Sequence, residues 1–277
     1  MAVVLPFTSF SGSFLIDIFL VGLLGLALGS FASVLAYRGA RGLSWFSCKL
    51  AGGEMMSAAR SACPRCKTRL RAADLVPLFS WLFLRGRCRY CRDPVPVLYP
   101  LLEVGSLCAC VLAYAVMGPL PVTFVVIASV PFLLALLAVD IAHMILPNSL
   151  ILVLAGLGVA KAGLMVLDAG GVQAVYMAVG YGAAGLLYGA FAWSLGRFMA
   201  FALGKEALGM GDVKFFAVAG LWLGIAALPA FCILSGIAGI IFALLWRFKT
   251  KQPVFPFGPA LIVSFYIMVV FGEYHFW

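Results

Sequence analysis

From Val104 to Val139 the chain runs for thirty-six residues without one Asp, Glu, Lys or Arg. A helix needs about 20 predominantly apolar residues to cross the hydrocarbon core of a bilayer. This run is long enough for two, and Gly118-Pro119-Leu120-Pro121 supplies the break between them. Runs of the same kind recur along most of the sequence, so the backbone polar groups have to be satisfied inside helices rather than by water. Composition agrees: 65% of the 277 residues are hydrophobic and only 10% charged, where a soluble domain carries about 25% charged residues.

The pattern predicts eight helices, near 14–37, 97–117, 121–142, 149–168, 172–195, 213–228, 230–246 and 256–272. The later separators are Leu146-Pro147-Asn148, Asp168-Ala169-Gly170-Gly171, Pro229, and Pro253 with Pro256. A different break around Pro229 would give seven. The expected fold is an all-α polytopic membrane protein of about eight transmembrane helices, with a small cytoplasmic subdomain between helices 1 and 2. Residues 1–37 form the first helix, 38–96 the basic four-cysteine segment, and 97–277 the main transmembrane domain. The first 37 residues hold no Lys or Arg, so they lack the basic start of a cleavable signal and read as a retained span.

Charge sets the orientation. Twelve of the nineteen Lys and Arg lie between Arg38 and Asp93 against three acids, so this segment alone accounts for the net +9. The positive-inside rule explains that bias without nucleic acid and places the segment in the cytoplasm, with the N-terminus periplasmic. Anionic lipid headgroups are the expected partner for such charges. Counting forward, the turns at 143–148, 196–212 and 247–255 are also cytoplasmic, and Arg197, Lys205, Arg247, Lys249 and Lys251 fall there. Lys161 lies inside a span and is expected to snorkel outward along its stem. Gly22, Gly25, Gly180, Gly182 and Gly185 read as faces of close helix packing.

Cys63-Pro-Arg-Cys66 and Cys88-Arg-Tyr-Cys91 stand 21 residues apart in the basic segment. Two such knuckles suit tetrahedral thiolate ligation of a structural Zn2+, each giving two sulfurs from one tight turn. A reducing cytoplasm argues against disulfides, and the surrounding arginines favour thiolates. A thiol redox pair is the alternative. Cys108, Cys110 and Cys232 read as small apolar residues within spans. The intervening Leu75 to Leu84 is either core for the subdomain or an interfacial helix.

Two acids sit where they are costly. Asp140 ends an apolar run and Asp212 closes Gly209-Met-Gly-Asp. An ionisable group at membrane depth costs at least about 2.5–3.5 kcal/mol and marks function by default. The deduced topology puts both at one membrane face. Two carboxyls brought together cannot both ionise, which supplies a base and an acid for water-driven hydrolysis. Gly209 and Gly211 would let a peptide backbone approach closely, and Lys214 joins them as a substrate-contacting residue. Against this stand plain structural roles: Asp212 as a helix N-cap, or Asp140 paired with Lys214 or His143. The role of Glu103, inside the start of the second helix, is open.

These residues resemble a known family. Gly209-Met-Gly-Asp212-Val-Lys214, with Glu206 before it and Gly220 and Gly224 after it, resembles the G-x-G-D signature of the prepilin peptidases. Asp140-Ile-Ala-His-Met-Ile-Leu-Pro147 resembles the stretch carrying that family's first catalytic aspartate. Gly29-Ser-Phe31 with Tyr37-Arg38, the cysteine knuckles, Tyr99-Pro-Leu-Leu-Glu103 and Pro256-Phe-Gly-Pro259 follow in the family's order. The resemblance implies an intramembrane aspartic endopeptidase with Asp140 and Asp212 as its dyad. It implies cleavage of type IV prepilins or type II secretion pseudopilins after a glycine at the cytoplasmic face of the bacterial inner membrane. The cysteine domain implies the branch that also N-methylates the new terminus with S-adenosylmethionine. Asn148 stands where the family commonly has Asp, and Ser33 where it has Asn. From residues alone, an ion-coupled transporter with a carboxylate pair and a zinc-bearing assembly scaffold are the competing readings.

Overall fold

The computed structural model describes residues 12–41, 47–49, 55–57, 63, 65–169, 171–204, 208–250 and 254–275. Glu54, Lys205, Glu206, Lys251 and Pro253 lie outside them. The chain divides into two compact units, Met1–Gly118 and Pro119–Trp277.

In the first unit α1 (Gly12–Gly39) packs along α3 (Leu98–Met117). The contact is built on small residues at helical spacing. A Cβ on Gly25 would stand 2.8 Å from the Leu107 Cα, and one on Gly29 only 2.5 Å from the Glu103 Cα. The two backbones therefore meet where no side chain fits, the usual basis of helix association in lipid. Farther along, the Tyr114 hydroxyl donates to Asp17 at 2.9 Å, so Asp17 is half-buried and partnered rather than simply solvated. Between the helices lie a hairpin of β1 (Ser47–Lys49) and β2 (Met55–Ser57) and the short α2 (Phe79–Phe83). The hairpin adds a small β element to a fold expected to be all-α.

The segment around α2 resolves the choice left by the sequence. Leu75, Val76, Phe79, Leu82 and Phe83 are exposed, so most of its apolar surface is not subdomain core. Trp81 turns inward, donating to the Val95 carbonyl at 3.2 Å and covering Gly86. Glu103 holds the segment against α3. It is 8% exposed and accepts the Leu78 N–H at 2.6 Å. Leu78 sits at φ +61°, a region unfavourable for a branched side chain, and its N–H is the donor in this bond.

The second unit holds α4 (Pro121–His143), α5 (Asn148–Ala169), α6 (Gly171–Leu203), α7 (Met210–Leu223), α8 (Leu228–Thr250) and α9 (Gly258–His275). Of the most apolar window of each helix, 67% is buried in α4 but only 11% in α6 and 17% in α8. Thus α4 is the central helix, while Leu186, Ile240 and Phe201 project outward as lipid-facing residues do.

Six helices, α1, α3, α4, α5, α6 and α8, are long and apolar enough to cross a membrane among the described residues. All eight expected apolar helices form, but six rather than the expected eight or so qualify as spans; α7 ends at Leu223, five residues before the expected boundary, and at 14 residues is too short to span alone. Gly224 stops it at φ +78°, a conformation that glycine adopts freely.

Short α7 is gripped from two sides. Ala217 and Gly220 meet Gly185, Gly189 and Tyr188 of α6, with the Ala184 carbonyl directly against Gly220. Gly180 and Gly182 face open space, so only Gly185 of that expected packing face is used. On the other side fully buried Trp222 donates to the Leu154 carbonyl at 2.9 Å and stacks edge-on to Phe265 of α9. Its own carbonyl, near the end of α7, accepts the Lys161 ammonium at 2.9 Å. Lys161 is 2% exposed and does not snorkel. A helix that stops within the bilayer leaves its last carbonyls without helical partners, and the lysine satisfies one of them.

Candidate active site and cysteine cluster

Asp140 lies in the last turn of α4 and Asp212 in the first turn of α7. The α4–α5 turn brings those ends together. A Cβ on Gly211 would stand 3.1 Å from the Leu146 Cβ, and Lys214 donates to Asn148 Oδ1 at 2.9 Å. These contacts set the two acids at the same end of the unit. Asp140 is buried, 5% exposed, and its Oδ2 accepts the Gly258 N–H of α9 at 2.9 Å. Asp212 is half-buried, and its Oδ2 accepts the Gly209 N–H at 3.3 Å.

Asp212 is therefore not the N-cap. Gly209 holds that position and Asp212 stands at N3, reaching back in the manner of half a capping box. Among the described residues neither aspartate forms an ion pair: Lys214 is on Asn148, and His143 is exposed. Gly209 and Lys214 are exposed beside Asp212, and Gly211 is half-buried. The arrangement offers two carboxyls at one end of the unit with backbone that a peptide can approach. Gly258 is the partner that sequence reasoning did not find. Its signal was Pro256-Phe-Gly-Pro259, noted only as the start of the last helix.

The four cysteines of the first unit come together as their spacing predicts. All four sulfurs lie within 4.8 Å of one another, and Cys63 Sγ is 3.8 Å from Cys91 Sγ. Four thiolates around Zn2+ at about 2.3 Å stand about 3.8 Å apart, so the cluster fits a tetrahedral metal. The two knuckles are built alike. Cys63 N–H donates to the Thr68 carbonyl and Lys67 N–H to the Cys63 carbonyl. Cys88 N–H donates to Asp93 and Arg92 N–H to Cys88 in the same way. Lys67 and Arg92 occupy the same left-handed conformation, φ +58°.

The thiols do not share one acidity. The Thr68 hydroxyl and N–H pull the Cys66 thiol down to about 6, and the Cys91 N–H lowers Cys88. Although the Asp93 N–H lowers Cys91, burial and the other three sulfurs push it up to about 11. Without a cation the set resists full ionisation. Around it, Asp74 accepts Arg89 Nε at 2.6 Å, the Tyr90 hydroxyl at 3.1 Å and the Arg71 N–H at 3.0 Å. Burial raises the Asp74 carboxyl, but these three donors outweigh it and hold the group below its ordinary value. Arg65 of one knuckle pairs with Asp93 of the other at 3.3 Å. A cavity of about 520 Å³ beside the cluster is lined by Leu84, Arg85, Arg87, Cys88, Arg89 and Arg92.

Comparison with known proteins then decides the family. Residues 23–117 match the bacterial peptidase A24 N-terminal domain, and residues 127–244 match the type IV leader peptidase family. The chain belongs to the type IV leader peptidase family. Its relatives include a prepilin leader peptidase/N-methyltransferase of Pectobacterium carotovorum, 36% identical over 88% of this chain and 89% of the relative. Proteins of the same description from Burkholderia pseudomallei and Aeromonas salmonicida are each 34% identical. They cover 90% and 92% of this chain, and 84% and 90% of their own lengths. No solved structure matches. Membership makes this a multi-pass membrane protein of a bacterial peptidase family, with a four-cysteine cluster able to hold a metal.

Proposed function

We propose that the protein cleaves the leader of type IV prepilins or type II secretion pseudopilins with Asp140 and Asp212 as an aspartic dyad, and then N-methylates the new terminus. The observation that carries this reading is the meeting of the α4 and α7 ends through the Leu146–Gly211 and Lys214–Asn148 contacts, in a chain that matches leader peptidases on both sides of it. One carboxylate takes a proton from water as its oxygen attacks the scissile carbonyl carbon. The other, protonated, donates its proton to the carbonyl oxygen; the first then passes the proton it took from water to the departing amide nitrogen, while the second takes one back from the gem-diol. The C–N bond breaks, leaving a leader carboxylate and a free pilin amine. Gly209 and Gly211 admit the peptide backbone, and Lys214 contacts the substrate beside the dyad.

Location follows from charge within the second unit. Arg197, Lys214, Arg247 and Lys249 fall at the end that carries the aspartates, and the opposite end carries buried Lys161 and Asp168. That end is cytoplasmic by the positive-inside rule, in the bacterial inner membrane, where the polar leader of a pilin meets its apolar helix. The N-terminus is then periplasmic. The first unit binds a structural Zn2+ through Cys63, Cys66, Cys88 and Cys91. Its exposed α2 face and arginine-lined cavity contact anionic lipid headgroups. S-adenosylmethionine, when bound, supplies the methyl group; the released amine of the pilin is its acceptor.

The test is incubation of purified protein and S-adenosylmethionine with a prepilin carrying a charged leader, a glycine and an apolar helix. Wild-type protein yields the shortened, methylated chain, and Asp140→Asn or Asp212→Asn yields neither product from the uncleaved substrate. Cleavage by either variant overturns the dyad.

A further inference from the structure

The two aspartates are held by the same device. Asp212 accepts the N–H of Gly209, the residue capping α7. Asp140 accepts the N–H of Gly258, the first residue of α9 and 118 positions away. In each case an acid meets a backbone donor at a helix start, where the first N–H groups have no helical acceptor and the helix dipole favours negative charge. The first glycine belongs to the motif that marks this family's signature. The second lies in Pro256-Phe-Gly-Pro259, to which the proposed mechanism gives no task.

The fit at Gly258 excludes any side chain. A Cβ there would stand 2.5 Å from Asp140 Oδ2 and 2.8 Å from its Cγ. Both atoms belong to a short buried side chain, whose own Cβ would stand 3.2 Å away. Phe257 seats the turn from the other side, against Gly239 of α8, where a Cβ would come within 2.7 Å of its ring. Neither Pro256 nor Pro259 carries an N–H, so this stretch of the turn offers few donors besides Gly258. Only Oδ2 of Asp140 is engaged. Among the described residues Oδ1 accepts no hydrogen bond, which leaves it for water.

We propose that Gly258 is a positioning residue of the peptidase: its N–H fixes Asp140 Oδ2, turns Oδ1 toward the catalytic water and stabilises the charged carboxylate. This inference rests on the dyad reading above. It makes the turn at the head of α9 the counterpart of the Gly209 turn, so that each acid has its own glycine.

Gly258→Ala and Pro259→Ala are compared with wild type and Asp140→Asn, in detergent, on purified prepilin for cleavage and on pre-cleaved pilin for methylation. Displacing a reacting group by about 1 Å costs on the order of 100-fold in rate. Gly258→Ala should therefore lower kcat about 100-fold with KM and methylation within about twofold of wild type. Pro259→Ala keeps the Gly258 N–H and should keep kcat within about threefold. A Gly258→Ala protein that cleaves at half the wild-type rate or more overturns the proposal. So does one that loses only KM, or one that loses both activities in proportion. If Asp140→Asn still cleaves, the dyad reading itself fails; if Asp140→Asn is inactive while Gly258→Ala is normal, only the role of Gly258 fails.

Discussion

The cysteine cluster and the aspartate site are assembled on opposite principles. Each knuckle closes within a few residues, its hydrogen bonds running from Cys63 to Thr68 and from Cys88 to Asp93, so geometry is encoded locally and repeated. The aspartate site is made from three helix ends, with Asp140, Asp212 and Gly258 contributed by α4, α7 and α9. A local motif tolerates change elsewhere in the chain. A site made of distant helix ends depends on everything that fixes the height and rotation of those helices. For α7 this means the glycine contacts with α6 and the Trp222–Lys161 clamp.

This contrast yields experiments that break one region and spare the other. The largest effect is expected from Asp140→Asn and Asp212→Asn. Each should reduce leader cleavage about 1000-fold or more, while metal content by elemental analysis stays at the wild-type level. Next, Cys63→Ser or Cys88→Ser should release a zinc held at about one ion per chain and expose segment 63–95 to protease. Fragments of the second unit should remain intact in the same digest.

A smaller effect is expected within the second unit. Lys161→Met keeps the apolar stem but strips the Trp222 carbonyl of its donor, and should destabilise the protein by about 1–3 kcal/mol in thermal unfolding. A variant as stable as wild type would show that α7 needs no such clamp. The smallest belongs to Asp74→Asn in the first unit, about 1 kcal/mol, because half-exposed Arg89 is partly screened. Its sign with pH is fixed. The folded carboxyl lies below its ordinary 3.8, so its contribution is full above that value and is lost as pH falls through the lowered one. Wild type and Asp74→Asn should thus converge in acid-unfolding curves.

Much of the molecule was legible because the bilayer leaves a chain few options. Uncharged runs of helix length had to become helices, and the eight apolar segments did. Two C-x2-C pairs had little to do but converge. What could not be read was wherever one element's end depended on another. Lys161 looked like a misfit bound for the interface, because nothing nearby in sequence announces the open carbonyl of Trp222. Gly180 and Gly182 looked like a packing face, yet periodicity cannot tell which side of α6 meets α7. The alternative of Asp212 as an N-cap rested on its place just before an apolar run, but α7 starts at Met210, two residues earlier.

By itself the sequence determined that this is a membrane protein of many helices, that its basic segment carries a pair of two-cysteine knuckles, and that Asp140 and Asp212 are its costly acids. The tertiary structure decided that α7 stops short of a full span, that Lys161 closes it, and that Gly258 reaches Asp140. The reason is physical. Transfer to lipid and tight-turn geometry act on neighbouring residues and leave a periodic signature in the chain. A hydrogen bond across 118 residues is fixed only by how helices stack, and stacking is a property of all of them together.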